Sequence, residues 1–165
     1  MRNTIFTSVG VLALGSAAFA EIPTGCFERQ YSADHIQRHP AQIVDYLRIW
    51  IYPWPEYNQI NADMVARFID QGRIKGKKSA GKTLDQVLTC WDMNRGAGCA
   101  VDCDGGSFQF VKVDEGGITI ETGGLTMGVP EDEGCGGAET LTEVIGEPVR
   151  YRLARVDDAI CEAAQ

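Results

Sequence analysis

The sequence predicts an all-β chain of roughly seven or eight antiparallel strands, closed as a small barrel or packed as a two-sheet sandwich, with a short helix at each end. Three observations predict it. Strand-length runs with period-two alternation recur along the chain, each bounded by glycine, proline or acidic turn residues. Six cysteines, an even number, accompany a leader of the export type. Short turns link consecutive runs after Thr83, which favours a meander of antiparallel neighbours over parallel crossovers.

The leader comes first in the chain. Met1-Arg2-Asn3 is a short positive start, Ile5 to Leu14 is mainly apolar, and Ala18-Phe19-Ala20 has the small-x-small form of a cleavage site. The expectation is a signal peptide over residues 1–20, followed by one β-rich, disulfide-bonded domain over 21–165. The apolar run is well short of the ~20 residues that span a bilayer, so no integral membrane segment is expected after the leader is removed. A lipid anchor needs a cysteine directly at the cut, and Cys26 lies too far on. Residues 21–165 carry 14 basic side chains against 23 acidic ones, a formal charge of −9. That balance argues against DNA or RNA as a partner, because phosphate binding rests on a dominant basic surface.

Cys26, Cys90, Cys99, Cys103, Cys135 and Cys161 all follow the leader. In an exported chain they are expected to pair, although sequence alone does not separate the possible connectivities. Spacing favours Cys26 with Cys161, which clamps the two ends. Cys90 with Cys99 flanks an eight-residue loop, and Cys103 and Cys135 remain. Each bridge is worth ~2–4 kcal/mol through the unfolded state. Zinc is the rival use of the thiols, and no Cys-x-x-Cys pair supports it.

In order along the chain, Ser32 caps a short helix that ends before Pro40. Gln42 to Tyr52 reads as a strand, with Ile43, Leu47, Ile49 and Ile51 on one face and Val44, Tyr46, Arg48, Trp50 and Tyr52 on the other; Pro53 and Pro55 are expected to end it. Asn61 to Asp70 fits a helical stripe as well as a strand and is assigned to a strand because strands follow. Thr83 to Cys90 alternates cleanly. Cys99 and Cys103, four apart, are expected to share one strand face; Asp104-Gly105-Gly106 turns the chain into a strand over Ser107 to Val113. There Phe108 and Phe110 share one face, and Val111 and Val113 the other. Asp114 to Gly117 is a further turn and Ile118 to Thr122 the partner strand. Gly123 to Gly137 is expected to loop out, held by Cys135. Val149 to Val156 is a strand with Val149, Tyr151 and Leu153 inward, and Asp157 to Gln165 a short helical end holding Cys161.

Several residues are candidates for chemistry. Trp50 and Tyr52, joined by Trp54 if the extended path continues past Pro53, form an aromatic stripe that suits a ligand or partner surface, or else a barrel rim. His35 and His39 share a helix face at i and i+4, a metal-compatible spacing, yet no motif supplies a third ligand; an exposed polar turn is the favoured reading, and no metal or other cofactor is expected. Gly76 to Thr83 matches the phosphate-loop pattern letter for letter, but the flanking runs are not a buried strand and a helix, so no nucleotide is expected. Arg73, Lys75, Lys77, Lys78 and Lys82 form instead a basic patch on an acidic chain. Asp102, Asp104 and Glu115 fail the calcium-loop spacing, and turn chemistry accounts for the two aspartates.

Cys26-Phe27 with Tyr31 to Ile36, His39-Pro40-Ala41-Gln42, and Cys99 to Phe108 resemble a group of small exported, cysteine-containing, uncharacterised bacterial proteins of proteobacterial type. The likeness covers about half of residues 21–165 in three patches. It implies a periplasmic home and carries no activity. The residues themselves show no nucleophile beside a base, so no catalytic residue is assigned. The leading expectation is a periplasmic or secreted, non-enzymatic binding module, a calycin-like barrel or an inhibitor, contacting a small ligand or an envelope protein through Trp50, Tyr52 and Trp54 or through the barrel interior. A hydrolase of envelope polymers needs two facing carboxylates, and no pair is evident. A structural or assembly partner of an envelope complex is the third possibility.

Overall fold

Eight antiparallel strands close into a barrel in a computed structural model that describes residues 22–93, 96–128 and 137–163. The strands are β1 (Gly25–Gln30), β2 (Val44–Trp54), β3 (Gln59–Phe68), β4 (Thr83–Met93), β5 (Gly96–Ala100), β6 (Ser107–Asp114), β7 (Gly117–Thr122) and, after a two-stranded excursion of β8 (Thr126–Met127) with β9 (Glu139–Thr140), β10 (Val149–Val156). Each barrel strand pairs with its neighbour in sequence, and β10 closes the ring between β7 and β1. Two helices, α1 (Ala33–Arg38) and α2 (Ala159–Glu162), follow β1 and β10. The signal peptide expected over residues 1–20 lies outside the described residues.

Because neighbouring strands run in opposite directions, the connections segregate. One rim takes the long ones: the α1 segment, residues 69–82, residues 101–106 and, between β7 and β10, residues 123–128 and 137–148. The other rim takes the short hairpin connections together with the start of β1 and α2. A closed ring also leaves no edge strand to pair with other chains.

Alternation decides what faces inward. Leu47, Ile49 and Ile51 of β2 lie opposite Ala66, Met64 and Ala62 of β3, and all six are buried. Two of the three pairs set a large residue against an alanine, which lets an eight-stranded ring fill its own interior. Phe68, Leu88, Phe108, Ile118, Ile120, Tyr151 and Leu153 complete the core. Burying each such side chain contributes about 1.5–3 kcal/mol. The interior considered above as a ligand site is thus packed with the chain's own side chains.

The sequence-based elements are met in most places, including the strand over Asn61 to Phe68 and the capped helix, where Ser32 Oγ accepts the His35 N–H. Four expectations need correction. β2 continues through Pro53 to Trp54, because its ladder with β1 stops at Ile51 and the missing proline N–H leaves no bond unmade on that side. Cys103 shares no strand face with Cys99, since β5 ends at Ala100 and Cys103 sits in the following turn with φ of +61°. Gly106 continues that turn at φ +77°, where a Cβ would run into the Gly124 carbonyl. The register of β6 slips between Phe110 and Lys112, so Val113 lies opposite Ile118 on the Phe110 face and Val111 is the extra residue. Residues 123–128 do not loop out: Leu125 and Met127 are fully buried and, with Leu141, cap the long-loop rim. The rest of that stretch, 129–136 with Cys135, lies outside the described residues.

Two disulfides join Cys26 to Cys161 and Cys90 to Cys99. The second does not close a loose loop but links directly opposed residues of β4 and β5. Cys103 is disulfide-bonded as well.

Candidate binding face

The predicted aromatic residues stand on the outer face of β2, where alternation sets Arg48, Trp50, Tyr52 and Trp54 opposite the core residues. The Trp50 and Tyr52 rings are 4.5 Å apart and tilted by 35°. Trp54 turns away to pack on Tyr57 across the hairpin tip, with ring centroids 4.4 Å apart. The stripe therefore splits into two pairs, one at mid-strand and one at the short-turn rim, where Trp54 and Tyr57 are exposed.

The neighbouring strands supply the rest. Asp63 of β3 lies opposite Trp50, and Val65 opposite Arg48; across β4, Asp63 faces Val87 and Val65 faces Asp85. These six side chains line a concavity of about 410 Å³. Val87 is 58% exposed on its floor. Tyr52 Oη donates to Asp63 Oδ1 at 3.3 Å, which fixes the carboxylate's position beside the aromatic pair. Burial first, and then the Asp63 charge, raises the Tyr52 phenol above its ordinary value.

α2 forms one wall. Cys161 lines the concavity and is tied to Cys26, which sits opposite Trp50 in register. Asp158 Oδ1 accepts the Cys26 N–H at 2.9 Å, and Arg48 Nη1 donates to the Ile160 carbonyl at 3.4 Å. The C-terminal helix is thereby clamped beside the aromatic pair. Sequence reasoning missed Asp63, Asp85, Val87 and this wall, because only cross-strand register brings them to Trp50.

The other candidates separate. Arg73 leaves the basic patch: its guanidinium turns inward to pair with Glu139 and donates to the Thr140 carbonyl and, at 2.6 Å, to the Thr142 carbonyl. Lys75, Lys77, Lys78 and Lys82 stay exposed. The phosphate-loop pattern leads into β4 rather than a helix, with Ser79 buried and donating to Glu139 Oε2 at 2.7 Å. Its Gly76 amide is taken by the Asp70 carboxylate at 2.7 Å. His35 and His39 stack with centroids 4.0 Å apart; His35 Nε2 lies 2.9 Å from Gln42 Oε1, and His39 Nδ1 donates to the His35 carbonyl at 2.7 Å. Asp102 and Asp104 sit before β6 and Glu115 after it, at opposite ends of that strand. Among the described residues no cluster of three or more His, Cys, Asp or Glu is placed to hold a metal, and no helix is long and apolar enough to cross a membrane. Comparison with protein-family models, with curated proteins and with solved structures finds no match to this chain.

Proposed function

We propose that this chain is an exported, periplasmic or secreted binding module without enzymatic activity, and that the outer face of β2–β4 is where it makes contact. The observation that carries the reading is the concavity beside Trp50, walled by a helix that a disulfide and two hydrogen bonds hold in place. A stiff barrel presents these side chains with little ordering left to do on binding, which is what preorganisation requires. Aromatic anchors next to fixed polar groups are the composition of contact sites. Export is supported by the leader and by the disulfides, which persist in oxidising compartments. The occupant is a small ligand or an envelope protein, and the module acts as an inhibitor or assembly partner in the latter case.

The test is capture. Wild-type protein and Trp50→Ala are immobilised and exposed to periplasmic extract, and retained proteins and small molecules are identified by mass spectrometry. A species held by wild type and lost from the variant supports the reading; equal retention by both overturns it.

One observation favours a second reading. Asp63 and Asp85 both line the concavity, on diagonal positions of adjacent strands, so two carboxylates share one cleft as hydrolysis of an envelope polymer requires. Asp85 is exposed, however, whereas an acid kept protonated for catalysis needs a dry, apolar setting. Release of reducing sugar from purified envelope polysaccharide, abolished by Asp85→Asn, would favour this reading.

A further inference from the structure

We infer that the concavity on β2–β4 receives a lysine- or arginine-bearing segment of a basic partner polypeptide, with the cationic head between Asp63 and Asp85 and its aliphatic stem across Val65 and Val87. The inference rests on the binding-face reading above and names the occupant's chemistry.

Three features of the face carry it. The cross-strand register makes a checkerboard: Asp63 is opposite Val87, and Val65 is opposite Asp85. Acidic and apolar side chains thus alternate along each strand and across the pair, with the two carboxylates on one diagonal of the floor and the two valines on the other. A long side chain with an apolar stem and a charged tip is complementary to such a floor, because the stem covers the valines while the tip reaches a carboxylate. Trp50 stands beside this floor, and indole is the aromatic group that attracts a cation most strongly.

The second feature is the disposition of charge. Among the described residues that line the concavity Arg48 is the one cation, and its guanidinium reaches toward the Ile160 carbonyl on α2. Asp63, with Tyr52 Oη on it, and Asp85 supply the carboxylates of that lining. The third is the field of the whole chain, whose formal charge of −8 draws a basic partner toward any contact site and repels an acidic one.

The test uses the oxidised, isotope-labelled protein and three probes of defined chemistry: a blocked hexalysine peptide, a neutral glycine-serine peptide of the same length, and a neutral N-acetylglucosamine oligomer. Binding is followed by amide chemical shifts. Hexalysine is expected to move the resonances of Trp50, Asp63, Val65, Asp85 and Val87, and Asp63→Asn with Asp85→Asn to weaken it about tenfold. A charge-matched control, Glu115→Gln with Glu147→Gln, removes two acids elsewhere on the surface and is expected to weaken binding no more than about twofold. Equal weakening in both double variants overturns the inference, because net charge alone would then account for binding. A neutral probe that moves the same resonances and is indifferent to the Asp63/Asp85 change overturns the cationic occupant while leaving the binding face standing. Absence of any shift at this face with hexalysine also overturns it, and the extract capture with Trp50→Ala then judges the face separately.

Discussion

Arg73 and Glu139, 66 residues apart in sequence, meet in a largely buried ion pair that fastens the cap of residues 123–128 and 137–148 to the long-loop rim. Their side chains are 15% and 8% exposed, and the guanidinium also serves the carbonyls of Thr140 and Thr142. Removing one partner strands a charge in a dry setting. Arg73→Met is therefore expected to lower unfolding stability by about 3–5 kcal/mol in urea melts, and Arg73→Met with Glu139→Leu to recover much of that loss. If the single variant melts like wild type, the pair does not hold the cap.

The same carboxylate sets a pH dependence. Burial alone would raise the Glu139 pKa, but hydrogen bonds from Arg73 and Ser79 together with the Arg73 charge outweigh it and hold the group below its ordinary value of 4.5. A depressed folded pKa means that the stabilisation is fully present above the unfolded value and is lost as pH falls through the folded one. The urea midpoint of wild type is expected to fall as the pH drops below about 4.5, and more steeply than that of Glu139→Gln. Parallel profiles would show that Glu139 is not the linked group.

Tyr151 places its hydroxyl in the core, where it finds no partner among the described residues. Burial first, and then the charges of Glu143 and Tyr31, raise this phenol far above its ordinary value. Since a buried donor left unmade costs free energy, Tyr151→Phe is expected to keep or raise stability, by up to about 1 kcal/mol in the same melts. A clear loss would reveal a hydrogen bond at that oxygen.

The Cys26–Cys161 bridge spans 135 residues, so in the chain-entropy view it restricts the unfolded chain strongly. Replacing both cysteines by alanine is expected to cost about 4 kcal/mol, while far-ultraviolet circular dichroism keeps its β signature because β1 still pairs with β2 and β10. The readout specific to the proposed contact face is Trp50, whose fluorescence should shift as the α2 wall loosens. An unchanged emission spectrum would mean that the wall stands without the sulfur bond.

At the opposite side of the barrel, hydrogen bonds from Arg152 and Lys112 lower the Asp114 carboxyl from 3.8 to about 2. Carboxyl titration by NMR should find Asp114 near that value and return it toward 3.8 in Arg152→Gln. No movement in the variant would assign the shift to another neighbour.

Much of the barrel was legible because strands announce themselves locally. Leu47, Ile49 and Ile51 alternate with Arg48, Trp50 and Tyr52, and that period alone sorts core from surface. Val111 and Pro53 show the limit of that reading. A bulge shifts the phase of β6, and a proline is tolerated in β2 because the neighbouring ladder has already ended. Arg73 reads in sequence as one of five basic residues of a surface patch, since composition cannot tell that Glu139 waits behind it. The aromatic half of the proposed contact face was readable from one strand; its acidic and apolar half was not, because Asp63, Asp85 and Val87 reach Trp50 only through the register of three strands.

By itself the sequence determined the all-β class and the position of most strands and helices, and its cysteine spacing favoured the pairs that the structure holds between Cys26 and Cys161 and between Cys90 and Cys99. These follow from periodicity, turn chemistry and spacing, which are properties of neighbouring residues. Only the tertiary structure decided that the strands close as a barrel, that its interior is filled, and that the cap is bolted down by Arg73. Closure and register depend on contacts between residues far apart in the chain, and no local pattern encodes which distant strand supplies the partner.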